Sequence, residues 1–294
     1  MTDTTASQIF VGSTASRIKA PSLWTVLKWI AALCVAVVAL FPLWWMFSVV
    51  FAEAGVPVAV NPRLYPTSFA DGFTKIWEVF EETGYLQAYY VSIMYTILTI
   101  VGVLLISSMA AFEFALFEFP GKKILFSIVM LSLMVPLAVT LIPTYLLVAQ
   151  LGWLNTMQGL VVPGLASAFG LFMLTQFMQS IPKETLEAGR LEGANHYQLY
   201  WYIALPLSKN AMITLAILTF MKTWGNFIWP LVVSSKQNVY TVSQVINQFN
   251  SPFSHTTVDV VMTANFLAAI PPIIFFIIFQ RKIIEGVQMS GSKG

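Results

Sequence analysis

Residues Trp29–Ala52, Thr83–Phe112, Ile124–Pro182 and Val260–Gln280 contain no charged side chain. No other feature constrains the fold so strongly. A wetted protein surface cannot be built on windows of that length, whereas a bilayer core about 30 Å deep demands about 20 apolar residues per helical crossing. The longest window exceeds one crossing and carries a polar break, QLGWLNTMQG at 150–159, so it divides into two. A further span runs from about Leu205 to Val233 with Lys222 inside it. The chain therefore reads as an all-α membrane protein with six transmembrane helices, at about 23–51, 84–112, 124–148, 159–179, 205–233 and 259–280.

Composition enters as exclusion. At 57% hydrophobic and 10% charged residues, the chain is too apolar for a soluble domain and too long for a single anchor. A formal charge of +2, scattered along the sequence, offers no nucleic-acid surface. The single cysteine, Cys34, allows no intrachain disulfide and no thiolate metal cluster. Residues 1–22 lack an apolar core behind a basic start, so they read as a cytoplasmic tail rather than a signal peptide. The transmembrane body is 23–284, and 285–294 reads as a second cytoplasmic tail.

Charge placement orients the helices. With both termini cytoplasmic, Arg17, Lys19, Lys28, Lys122, Lys123, Lys183, Arg190, Lys209, Arg281, Lys282 and Lys293 fall inside. Arg63, Lys75 and Lys236 fall outside and Lys222 lies within the membrane, so the reverse topology is disfavoured. The external segment 53–82 holds Pro57, Pro62, Pro66 and a short helical stretch, DGFTKIWEVFEE. Pro120 and Gly121 stop the second span before Lys122 and Lys123, and Glu113 and Glu118 read as solvated helix-end charges.

One stretch interrupts the hydrocarbon: KETLEAGRLEGANHYQLYWYIALPL at 183–207. Pro182 and Glu184 suit a helix start. That helix runs to about Glu192, Gly193 supplies the left-handed residue that ends it, and Asn195 with Gln198 forms a capping box for a second helix. The segment 180–207 thus lies on the cytoplasmic surface, with Glu187, Arg190 and Glu192 as charged handles and Leu186, Leu191, Tyr197 and Leu199 as apolar ones. In the fifth span Thr219, Lys222, Asn226 and Trp229 recur at spacings of three, four and three, which puts them on one helical face. A polar stripe ending in an indole suits a sugar path, since hydroxyls need hydrogen-bond partners and sugar C–H faces stack on aromatics. The same stripe could instead pack on a neighbouring subunit, with Lys222 paired to a carboxylate there. Pro136 and Pro143 predict kinks in the third span.

Catalytic chemistry has no visible machinery. There is no GxxxxGK[ST] phosphate cradle, and His196 and His255 fall on opposite sides of the membrane as ordinary loop residues, so neither a catalytic triad nor a metal site is expected. An ion-coupled secondary sugar transporter, the alternative function, needs carboxylates in mid-span, and none stands there.

The residues Glu187-Ala188-Gly189, three positions, Gly193, nine positions, then Ile203-Ala204-Leu205-Pro206 resemble the EAA loop of ATP-binding-cassette importer permeases. The departure is Gly189 where that motif prefers alanine, read as close approach of a partner. FEFPGKK, LIPTYLLVAQLGWLNT, QFMQSIPKE, TWGNFIWPLVV and FQRKIIEGVQMSGSKG are likewise similar to the maltose-type, carbohydrate-uptake permeases, from about residue 85 to the end. The resemblance implies a type I importer permease fold in a bacterial inner membrane, multi-pass and not itself an enzyme. It implies that Glu187, Ala188, Gly189, Arg190, Glu192, Gly193, Ile203, Leu205 and Pro206 couple to an ATPase. Implied partners are a second, homologous permease, two ATP-binding subunits that hold the ATP and magnesium, an extracytoplasmic solute-binding protein and a carbohydrate. No cofactor is implied for this chain. The closing EGVQMSGSKG is expected to be an extended peptide reaching between the ATPase subunits.

Overall fold

The computed structural model describes residues 22–53, 64–82, 84–251 and 256–291, and every regular element among them is helical. Most of the expected tails, at 1–21 and 292–294, together with Pro57, Pro62, Arg63 and His255, lie outside the described residues. The chain divides into two units, 1–44 and 45–294. In the first, Ser22 Oγ accepts the Thr25 amide at 3.2 Å and opens α1 (Leu23–Val50), and the Lys28 ammonium stands 5.5 Å from the Trp24 ring.

The second unit begins with the last turn of α1, where Val49 and Val50 are buried. Then come α2 (Phe69–Glu82), the long α3 (Tyr85–Leu116), α4 (Lys122–Ser132) and α5 (Leu137–Gln150). After these stand α6 (Met157–Val161) with a 3₁₀ turn at Val162–Gly164, α7 (Ala168–Met178) and α8 (Lys183–Leu191). The helix α9 (His196–Gln198) passes through a π-helical stretch, Leu199–Ala204, into α10 (Leu205–Leu207). The chain closes with α11 (Lys209–Trp224), α12 (Ile228–Val233), α13 (Val242–Phe249) and α14 (Val258–Gly291).

Among the described residues, three helices are long and apolar enough to cross a bilayer unbroken: α1, α3 and the Val258–Arg281 part of α14. The other expected spans are bent pairs. The α4 and α5 helices meet at 102°, α6 with its 3₁₀ turn meets α7 at 45°, and α9–α10 meets α11 at 74°. The first two breaks have a local cause. Pro136, expected only to kink a continuous helix over 124–148, has extended backbone (φ −63°, ψ 142°) and, with no N–H to donate, starts α5 afresh. Ser167 accepts the Gly170 amide at 3.0 Å and caps α7. The expected continuous helix 205–233 stops at Trp224, because Pro230 can neither bond to the Asn226 carbonyl nor clear it. Proline is tolerated instead in the first turn of α12.

The chain end also differs from expectation. α14 continues through Gly291, where an extended peptide from Glu285 was expected. Residues 279–290 hold no proline and one glycine, and a single helix-interior glycine costs only about 1 kcal/mol.

Among the described residues three buried clusters form the core, and α3 contributes to each: Val103, Ala111 and Phe112 to the first, Val91 and Tyr95 to the second, Tyr85 and Ala88 to the third. It lies close against α7, where a Cβ on Gly170 would stand 2.7 Å from Ser107 Oγ. Small residues at such a crossing let the backbones approach, which is how helices gain packing where lipid is as apolar as leucine.

Candidate functional site

The polar interruption folds as its sequence dictates. Pro182 precedes α8, Glu192 ends it, Gly193 has φ +86°, and Asn195 and Gln198 exchange both capping-box bonds at 2.9 and 2.7 Å. Glu187, Ala188, Glu192 and Gly193 are exposed, as is Pro206, while Ile203 and Leu205 are half-buried. Gly189 is buried, and a Cβ there would stand 2.6 Å from Ile203 Cδ1 and 3.0 Å from Leu199 Cδ2. Its close approach is therefore to its own chain, not to a partner. Leu186 and Leu199, expected as apolar handles, are buried at 5% and 2% exposure. Leu191 and Tyr197 do present themselves, at 90% and 73%, and Tyr202 joins them at 77%. Exposed apolar side chains grouped beside carboxylates and an arginine make a surface suited to another protein.

Sequence reasoning missed how this loop is fastened. The end of α3 reaches it through Ser108 and Tyr200, whose hydroxyls lie 2.7 Å apart, and through Glu113, whose carboxylate pairs with His196 Nε2. The His196 ring also sits between Phe112 and Phe117, with centroids 5.1 and 4.5 Å away, and the Arg190 guanidinium lies 5.1 Å from the Phe117 ring. Glu113 and His196 are thus neither free helix-end charge nor ordinary loop residue. The available signal was a carboxylate between aromatics in AAFEFALFEF, but nothing local links it to a histidine so distant in sequence. Glu118 does stay at the surface, where the hydrogen bond that Lys122 donates to it at 2.9 Å, and then the lysine's charge, hold the carboxyl below the usual range.

The four residues of the predicted stripe do not share one helix: Thr219 and Lys222 belong to α11, Asn226 to the turn after it, and Trp229 to α12. The fold nevertheless brings all four to one cavity of about 320 Å³. Its remaining walls are Tyr95, Thr99 and Val103 of α3, Leu137, Thr140, Leu141 and Thr144 of α5, Pro163, Gly164 and Ser167 before α7, and Thr223. Two stripe members are committed internally. The Asn226 amide donates to Tyr95 Oη at 3.2 Å, and the Trp229 indole N–H is shared between the carbonyls of Gly159 and Leu160 at 3.1 and 3.2 Å. Lys222 is exposed and makes no hydrogen bond or ion pair among the described residues. The α3 helix is common to both places, since it forms a wall of the cavity and, farther along, carries the side chains that hold the loop.

The sequence comparisons converge. A family model described as binding-protein-dependent transport system inner membrane component matches residues 102–288. The chain is 28% identical over 279 residues to the arabinooligosaccharides transport system permease protein of Halalkalibacterium halodurans, covering 92% of this chain and 98% of that one. It is 34% identical over 188 residues to the sn-glycerol-3-phosphate transport system permease protein of Yersinia enterocolitica, covering 64% and 67%. A crystal structure of a bacterial ABC transporter involved in the import of the acidic polysaccharide alginate contains a chain of the same fold, with TM-score 0.77 and 21% identity over 88% of this chain and 95% of that one.

Proposed function

Because this chain belongs to the family of binding-protein-dependent transport system inner membrane components, we propose that it lines half of a carbohydrate path and is driven through its 180–207 loop. The chain is a multi-pass permease subunit of an ATP-binding-cassette importer and not an enzyme. In the proposed arrangement it crosses a bacterial inner membrane six times with both termini cytoplasmic. A second, homologous permease completes the path, two ATP-binding subunits hold the ATP and magnesium, and an extracytoplasmic solute-binding protein delivers the sugar. The three unbroken spans, the three bent pairs and the inward bias of lysine and arginine support that topology. The relatives' printed substrates support a carbohydrate or a phosphorylated polyol. An ion-coupled mechanism gains no support, since no carboxylate lines the cavity.

The observation that carries the reading is the double engagement of α3. A helix that forms the cavity wall through Tyr95, Thr99 and Val103 is held to the loop through Ser108, Phe112 and Glu113, with Phe117 just beyond its end. A shift of the loop on its ATPase therefore moves the wall, because packed helices transmit displacement rather than absorb it. Glu187→Lys tests the docking role. Glu187 is exposed and makes no hydrogen bond or ion pair among the described residues, so its reversal leaves the fold intact. Loss of one desolvated charge pair costs about 2–5 kcal/mol. The reconstituted importer should lose at least about tenfold in ATP-driven oligosaccharide uptake, and less ATPase should co-purify. Full co-purification with normal stimulation by the binding protein would refute the assignment.

A further inference from the structure

The cavity between α3, α5, the turn before α7, α11 and α12 contains a single ionic group, the Lys222 ammonium, and no aspartate, glutamate, arginine or histidine. Resting on the permease reading above, we infer that the cavity selects anionic carbohydrates over neutral ones, with Lys222 as counter-ion to the acidic group of the sugar.

The polar lining divides into groups already satisfied and groups left over. Asn226 is spent on Tyr95 and on the Trp229 amide, which it accepts at 3.4 Å, and the Thr140 hydroxyl donates to the Leu137 carbonyl at 3.1 Å. Left over among the described residues are Lys222, without a partner, the buried and unpartnered hydroxyl of Thr99, and the hydroxyls of Thr144, Thr219 and Thr223, which make no hydrogen bond. Lys75 lies 3.4 Å from Asp259 and Lys122 2.9 Å from Glu118, and of the lysines that no ion pair holds among the described residues, Lys222 is the one that lines this cavity. The unmatched supply is therefore one that a carboxylate or phosphate takes up in charge-assisted bonds. Threonine hydroxyls, which donate and accept, suit the remaining hydroxyls of a sugar. A cation inside a helix pair apolar enough to cross a membrane is costly unless water or an anion faces it. A neutral sugar that displaces water from Lys222 leaves that charge uncompensated, so the cavity rejects it by the same residue that welcomes an acid. The volume of about 320 Å³ is at the small end of the roughly 300–1,000 Å³ typical of ligand sites, which confines the sugar near the ammonium.

The test is equilibrium binding to the complete importer in lipid nanodiscs, with its binding protein left out so that delivery does not impose the choice. The probes are digalacturonate, its neutral counterpart digalactose, and glucose 6-phosphate. Digalacturonate should bind about tenfold or more tighter than digalactose, with the preference shrinking as salt rises. Lys222→Met should abolish the preference, and Lys222→Arg should retain it. Tight glucose 6-phosphate binding with weak digalacturonate binding would support the inference with phosphate as the acidic group. Equal binding of acidic and neutral probes, absence of binding by both acidic probes, or a preference that survives Lys222→Met would overturn it. So would release of the second permease from the Lys222→Met importer, since the lysine would then be pairing with a carboxylate of that subunit. Uptake by the unmodified importer separates the two levels. ATP-driven uptake of a neutral oligosaccharide alone defeats only this inference, whereas no ATP-driven uptake of any carbohydrate defeats the reading beneath it.

Discussion

At Gly189 the space an alanine methyl would fill is already taken by the δ-methyl of Ile203 at 2.6 Å. The loop has thus moved bulk from one side of an internal contact to the other, and the pair should respond as a unit. Gly189→Ala gains about 1 kcal/mol of helix propensity but overpacks at a cost of about 1–3 kcal/mol. Ile203→Val deletes the methyl that collides. In a double-mutant cycle read by thermal unfolding of the purified complex, Ile203→Val should cost less in the Gly189→Ala background than alone, by about 1 kcal/mol. Additive effects would show that the two side chains do not meet. The motif spacing makes position 189 legible as special, but not why: close approach inside the loop and close approach to a partner demand the same small residue.

Among elements, length and apolarity are enough to find α1, α3 and α14, because an unbroken apolar helix advertises itself. The breaks are less legible. Pro136 and Pro230 each permit a kinked or a severed helix, and the packing that decides between them comes from elements remote in sequence. The same holds for the tie between α2, the end of α1 and α14. Lys75 donates to the carbonyls of Val49 and Ala52 at 3.3 and 2.8 Å and pairs with Asp259 at 3.4 Å, though the sequence shows only a lysine in an external helix. The Lys75 side chain is 9% exposed and that of Asp259 21%. Lys75→Met takes the donor from the Ala52 carbonyl and the counter-ion from a carboxylate at once, whereas Asp259→Asn leaves the lysine its carbonyls. Breaking a buried pair from one side costs about 3–5 kcal/mol, so Lys75→Met should reduce the yield of folded permease more than Asp259→Asn does. Equal yields would place the weight on the ion pair alone.

For the whole molecule, the stripe at 219–229 shows how a correct neighbourhood arises by an unexpected route. Helical periodicity puts Thr219, Lys222, Asn226 and Trp229 together, and they do meet around one cavity, yet by way of a broken helix whose second piece is pinned by an indole bond. What periodicity cannot supply is the opposite wall, contributed by α3, α5 and the turn before α7. The fastening of the loop by Ser108, Glu113 and the two phenylalanines was hidden for the same reason, since those partners are joined only by the fold.

The π-helical stretch Leu199–Ala204 has a consequence for the winding of everything after it. A π turn closes through i→i+5 bonds and so stores one surplus residue relative to an α turn. Tyr200 and Ala204 face the core while Trp201 and Tyr202 face outward. Removing Trp201 therefore takes up slack and restores an ordinary ladder with α11 in phase. Removing a residue from the middle of α11 has no slack to draw on and turns Asn226, Trp229 and α12 by about 100°. The Trp201 deletion should still assemble with the second permease by size-exclusion chromatography, and the α11 deletion should not. Equal damage from both would mean that the surplus residue is already spent in holding the loop.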